Sequence, residues 1–134
     1  MPELVYKSTS KSCETLTKIG LLATEPTIKT RIYSKIFKNK FRLVVPTKNI
    51  QNKNVNKSIK FVKMGKTQEA EKVLKPAVNY LLKMNCKKII LGCTELPVAI
   101  FAYKSFKRVK LSKTFLDPNL ILAEASMRKY KGRK

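Results

Sequence analysis

Short apolar runs, each handing the chain to a turn and then to a helical pattern, constrain this sequence more than any other feature. Ile19-Gly20-Leu21-Leu22-Ala23 follows Lys18 without a polar interruption, the pattern of a strand buried on both faces. Thr24 opens a turn, Pro26 suits a first helical position, and Ile28, Ile32, Tyr33, Ile36 and Phe37 line one helical face. Arg42-Leu43-Val44-Val45-Pro46 reads as a second strand closed by a proline. The polar stretch from Thr47 to Lys57 reads as a loop entering a weak helix that ends near Gly65. From Thr67 to Asn85, Ala70, Val73, Leu74, Ala77, Val78, Leu81 and Leu82 recur at helical spacing; Pro76 inside this helix should remove a backbone hydrogen bond and kink it. Lys88 to Leu91 is a third strand, Gly92 to Glu95 a turn, Leu96 to Phe106 a short helix and Phe115-Leu116 a last strand. Asp117-Pro118 then caps a helix from Asn119 to about Lys129. Strands alternating with helices predict an α/β fold, a three-layer lobe with a mostly parallel sheet and right-handed crossovers. Ligands of such sheets bind beyond the carboxyl ends of the strands, which nominates Thr24, Cys93 and Asp117.

At 134 residues the chain has room for one hydrophobic core. An apolar share of 43% and a mean hydropathy of -0.25 exclude a disordered chain and a membrane-embedded one. The longest apolar stretch, Leu96 to Tyr103, is far short of the ~20 residues a bilayer span needs. Met1 to Ser10 carries Glu3 and lacks the apolar core of a signal peptide, so a cytoplasmic protein with no membrane partner is expected. The formal net charge of +22 points toward polyanions, but 25 Lys against 5 Arg, spread along the whole chain, suit phosphate contact rather than base reading. Nucleic acid is therefore expected only as a non-specific partner, and a basic binding protein or an inactive remnant that serves as an RNA or ribosome contact is the alternative reading.

The chain has no His, and its three cysteines, Cys13, Cys86 and Cys93, form no C-x-x-C pair. That removes Ser-His and Cys-His dyads and leaves no zinc site and no metal. Cys93 carries the strongest chemical signal. It follows a strand and precedes a helix, so free amides at the helix start should stabilise its thiolate and lower its pKa. Gly92 would let a substrate approach the backbone, and the amides of Thr94 and Glu95 would hold a carboxylate. The bland alternative is a small buried hydrophobe after a strand.

Gly92-Cys93-Thr94-Glu95 after an apolar strand resembles the second catalytic-cysteine motif of the aspartate/glutamate racemase family. Gly20-Leu21-Leu22-Ala23-Thr24 with Thr27, Thr30 and Tyr33 resembles the strand and helix that open that family's second lobe. Lys63-Met64-Gly65 is similar to the lysine and glycine found at this distance before the cysteine, and Asp117-Pro118 with Ala123 to the segment that returns the chain to the first lobe. The match runs from about Ile19 to Ala125; Pro26 and Arg31 depart from it, standing where the family has Gly and commonly a small residue.

The resemblance implies one half of a two-lobe racemase fold: residues 1–18 an interlobe segment, 19–116 the second lobe, 117–134 the return helix and a basic tail. It implies racemisation of a small acidic amino acid, aspartate or glutamate, by two cysteines and no pyridoxal phosphate or other cofactor. Cys93 becomes one acid/base, and Lys63, Thr24 and Thr94 become substrate-binding. The other cysteine would belong to a first lobe absent from this sequence and encoded separately; a second copy of the chain is a further candidate partner.

Overall fold

The structure, a computed structural model, describes residues 1–101 and 113–132. In chain order the elements are α1 (Pro2–Ser12), β1 (Lys18–Leu22), α2 (Glu25–Lys29), α3 (Ile32–Phe37), β2 (Arg42–Val44), α4 (Lys48–Ile50), a π-helical turn (Gln51–Asn56), α5 (Lys57–Lys63), α6 (Thr67–Lys83), β3 (Lys88–Leu91), α7 (Glu95–Phe101), β4 (Phe115–Leu116) and α8 (Pro118–Gly132). The four strands form one sheet in the order β2-β1-β3-β4, every neighbouring pair parallel.

Alternation along each strand divides the core into two layers. Ile19, Leu21, Ala23, Ile90 and Leu116 face α1, α3 and α8, where Val5 and Phe37 are fully buried. Leu22, Ile89, Leu91 and Phe115 face α5, α6 and α7, meeting Ile59, Leu74, Leu81 and Leu96. Helices cover both faces, giving the expected three layers. The central strands need the continuous apolar runs that made them visible in the sequence. Gly20 is set by close packing: a Cβ there would lie 2.8 Å from Leu81 Cδ1 on α6.

Several local expectations give way to tertiary context. The helix expected after Pro26 is two short ones, broken by Arg31 in the left-handed conformation (φ 55°, ψ 26°). The loop expected over Thr47 to Lys57 is helical: the Thr47 side chain accepts a hydrogen bond from the Ile50 amide, and the turn that follows buries Gln51 and Val55. The helix expected from Leu96 to Phe106 begins at Glu95 and is described to Phe101; residues 102–106 lie outside the described residues. Residues 2–12 form a helix whose Val5 belongs to the same cluster as Leu21. The helix from Thr67 continues through Pro76 to Lys83. Among the described residues no helix is long and apolar enough to cross a membrane.

Candidate active site

From β1 the chain crosses to β2 on one side and later to β3 on the other. The topological switch point of the sheet therefore lies between the carboxyl ends of β1 and β3, where open α/β sheets form their ligand crevice. Thr24 follows β1 and Cys93 follows β3, so two of the three nominated residues flank that crevice. Asp117 does not: it follows β4, one strand further out, and its Oδ1 accepts the Asn119 amide at 3.0 Å as a cap for α8.

The turn holding Cys93 is pulled tight against β1. The Gly92 amide donates to the Leu22 carbonyl at 2.7 Å, and a Cβ on Gly92 would sit 2.9 Å from the Ala23 Cβ. Close packing of the two turns that follow β1 and β3 thus requires a glycine here. Cys93 is partly buried against the cluster of Leu22, Leu91 and Leu96. Burial pushes its thiol up to about 11, against the pull of the Leu96 and Glu95 amides, and the Glu95 carboxylate pushes the same way as burial. The low-pKa thiolate expected from the sequence is therefore not what the free chain holds; desolvation and a neighbouring anion outweigh two amides.

Glu95 links the turn to α5. Its burial alone would raise the carboxyl, but its own amide, the Thr94 hydroxyl, the Cys93 thiol and the Lys63 charge hold it below the ordinary carboxylate value. Thr94 Oγ1 donates to Glu95 Oε2 at 3.1 Å, and Lys63 Nζ lies 3.9 Å from Glu95 Oε1. Lys63, the end of α5, is thereby brought to the Cys93 turn from thirty residues upstream.

On the β1 side, Thr24 Oγ1 pairs with Thr27 Oγ1 at 3.0 Å. Thr24 lines an open recess of about 260 Å³ with Glu25, Asn56 and Ile59. Two residues here escaped the sequence reading. Gln51 Nε2 donates to the Ala23 carbonyl and to Asn56 Oδ1, both at 2.8 Å, and Asn56 Nδ2 reaches Glu25 Oε1 at 3.5 Å. Residues five apart sit side by side in a π turn but not in an α-helix, so helical periodicity hides this pair. Thr47 after Pro46, a helix-start signal, was the available clue. Among the described residues no group of three or more Cys, Asp or Glu side chains could hold a metal ion.

Residues 1–126 match the family model described as Asp/Glu/Hydantoin racemase, so the similarity starts well before Ile19. An aspartate racemase from Picrophilus torridus superposes with a TM-score of 0.67 at 25% identity, over 87% of this chain and 45% of that one. An aspartate racemase homologue from Pyrococcus horikoshii OT3 superposes with a TM-score of 0.69 at 21% identity, over 93% of this chain and 54% of that one, a likeness of fold. An uncharacterised protein of Pectobacterium carotovorum subsp. carotovorum is 39% identical over 85 residues, 63% of this chain and 56% of that protein. The chain spans about half the length of the relatives it matches.

Proposed function

The chain belongs to the Asp/Glu/Hydantoin racemase family, and from that membership we propose that it is one lobe of a cofactor-independent amino-acid racemase, with Cys93 as one of two acid/base groups. The observation that carries this reading is the position of Cys93: in the switch-point crevice, its thiol bonded to a carboxylate that Lys63 also reaches.

The substrate is a small acidic amino acid, aspartate or glutamate. Lys63 binds one of its carboxylates. Its pair with Glu95 is exposed on the lysine side, and such pairs are worth only ~0–1 kcal/mol, so an entering carboxylate displaces it readily. Neutralising the carboxylate acidifies the α-proton. Thr24 and Thr94 supply hydroxyl donors from the two sides of the crevice. With its pKa near 11, Cys93 enters the reaction as a neutral thiol. A base on the far face removes the α-proton, the bond's electron pair stays on the α-carbon, and the Cys93 S–H delivers its proton to the near face. The resulting thiolate accepts hydrogen bonds from the Glu95 and Leu96 amides. In the opposite direction the thiolate removes the proton and the far group returns one.

The far group is not Cys13 or Cys86. Both precede the strands, β1 and β3 respectively, and so lie at the amino end of a parallel sheet whose carboxyl end holds Cys93. We assign the far group to the first lobe, outside residues 1–134. The test is deuterium incorporation from heavy water into each enantiomer of aspartate and glutamate. The chain alone should not racemise; mixed with a polypeptide supplying the other lobe it should exchange the α-proton, and Cys93→Ala should abolish exchange. Racemisation by the chain alone that survives Cys93→Ala would overturn the reading.

A further inference from the structure

We propose that the pocket between β1, β2 and the α2–α3 junction binds a small organic monocarboxylate with an apolar body, held at its mouth by Arg31. This pocket, of about 200 Å³, is separate from the recess beside Thr24. Its floor includes Leu21 and Leu43, which face the α1, α3 and α8 side of the sheet, whereas Cys93 packs on the other side. The hydrogen-bonded hydroxyls of Thr24 and Thr27 stand between the two, Thr24 lining the recess and Thr27 the pocket.

The lining defines the ligand. Leu21, Leu43, Val45 and Ile28 offer an apolar surface, and a dry apolar cavity of ~150 Å³ suffices to take up benzene. Thr27, Tyr33, Ser34 and Arg31 complete the lining; the Ser34 hydroxyl donates to the Arg31 carbonyl at 3.3 Å and the Thr27 hydroxyl pairs with that of Thr24. No ion-pair partner of Arg31 occurs among the described residues, and no acidic residue lines the pocket. A guanidinium fork fits a carboxylate in two parallel hydrogen bonds. An inorganic anion would leave the floor uncovered, and an amino acid would bring its ammonium against a cation and an apolar wall with no acceptor carboxylate. Arg31 stands at the junction of α2 and α3 with φ at 55°, a conformation that residues other than Gly, Asn and Asp seldom adopt.

The pocket does not depend on the racemase reading, and its test does not touch that chemistry. Benzoate is titrated into the full chain at constant ionic strength while backbone amide shifts are followed. Expected are saturable shifts at Thr27, Arg31 and Ser34, binding about tenfold or more weaker in Arg31→Gln, similar loss in Val45→Trp, which fills the floor, and unchanged binding in Cys93→Ser. Benzamide and zwitterionic phenylalanine should bind much more weakly than benzoate. Unsaturable shifts spread over the surface lysines, shifts centred on Gly92 to Glu95, or equal affinity in Arg31→Gln would each overturn the proposal.

Discussion

Cys93 is surrounded by groups that pull its proton in opposite directions, and the balance can be read by alkylation. Burial and the Glu95 carboxylate keep the proton on; the amides of Glu95 and Leu96 favour its loss. Alkylation of Cys93 should be slow at neutral pH and climb as pH approaches about 11. Glu95→Gln removes the anion that raises the thiol, so its profile should move to lower pH and its rate at mildly alkaline pH should rise; an unchanged or upward-shifted profile would show that Glu95 does not govern the thiol. The same shift links to stability. An unfolded cysteine titrates at about 8.5, so between there and 11 the unfolded chain holds fewer protons than the folded one, and stability falls as pH rises through that window. Arg31 gives a second test at a single residue. Left-handed backbone costs about 1–2 kcal/mol for a residue with a Cβ, while glycine costs about 0.4–1 kcal/mol through the looser unfolded chain. Arg31→Gly should therefore stabilise by roughly 0.5–1 kcal/mol in denaturant melts, and a loss of stability would mean that contacts of the Arg31 side chain outweigh the strain.

Helix α6 shows how a local rule is overridden within one element. Pro76 is exposed and mid-helix, yet Leu74, Ala77, Val78 and Leu81 on the same helix are buried almost completely. Burial of such side chains is worth about 1.5–3 kcal/mol each for the larger ones, enough to carry the ~3 kcal/mol penalty of an interior proline. Pro76→Ala restores a backbone donor on the solvent side, offset by ~0.4–1 kcal/mol of regained unfolded-state freedom; a net gain of about 2 kcal/mol is expected in chemical denaturation. A net loss would show that the ring is needed for packing. The elements legible in the sequence were those whose buried positions are almost all apolar: β1, β3 and α6, where Glu71 is the buried exception on α6. The segment from Lys48 to Lys63 was not, because it buries polar side chains. The Gln51 Nε2 donates to the Ala23 carbonyl and to Asn56 Oδ1, and Ser58 Oγ donates to the Ala70 carbonyl at 2.8 Å. Composition cannot announce partners supplied by other elements. The candidate site divides the same way: the residues at Cys93 stand out as a contiguous motif, whereas Gln51 and Asn56 reach the end of β1 only through a π turn.

Charge is a property of the whole molecule, and it separates the proposed racemase from the alternative reading. Thirty basic residues meet eight acidic ones. The ion pairs among the described residues join the Met1 amino terminus with Glu3, Lys63 with Glu95, Lys75 with Glu71 and Arg128 with Glu124, so most of the described basic side chains have no acidic partner. Their mutual repulsion acts over the Debye length, about 10 Å at 0.1 M salt and about 3 Å at 1 M. Adding sodium chloride should therefore raise the melting temperature, most steeply at the low end of the range, because folding brings like charges together. The same dispersed lysines will attract duplex DNA or RNA at low salt. Each phosphate contact releases counterions, so that affinity should collapse as salt rises, with no preference among sequences. The two titrations must move oppositely if charge density alone is responsible: stability up, polyanion binding down. Binding that keeps a sequence preference at high salt, while stability still rises, would instead identify a built nucleic-acid surface on this lobe and favour a basic binding protein over the proposed racemase.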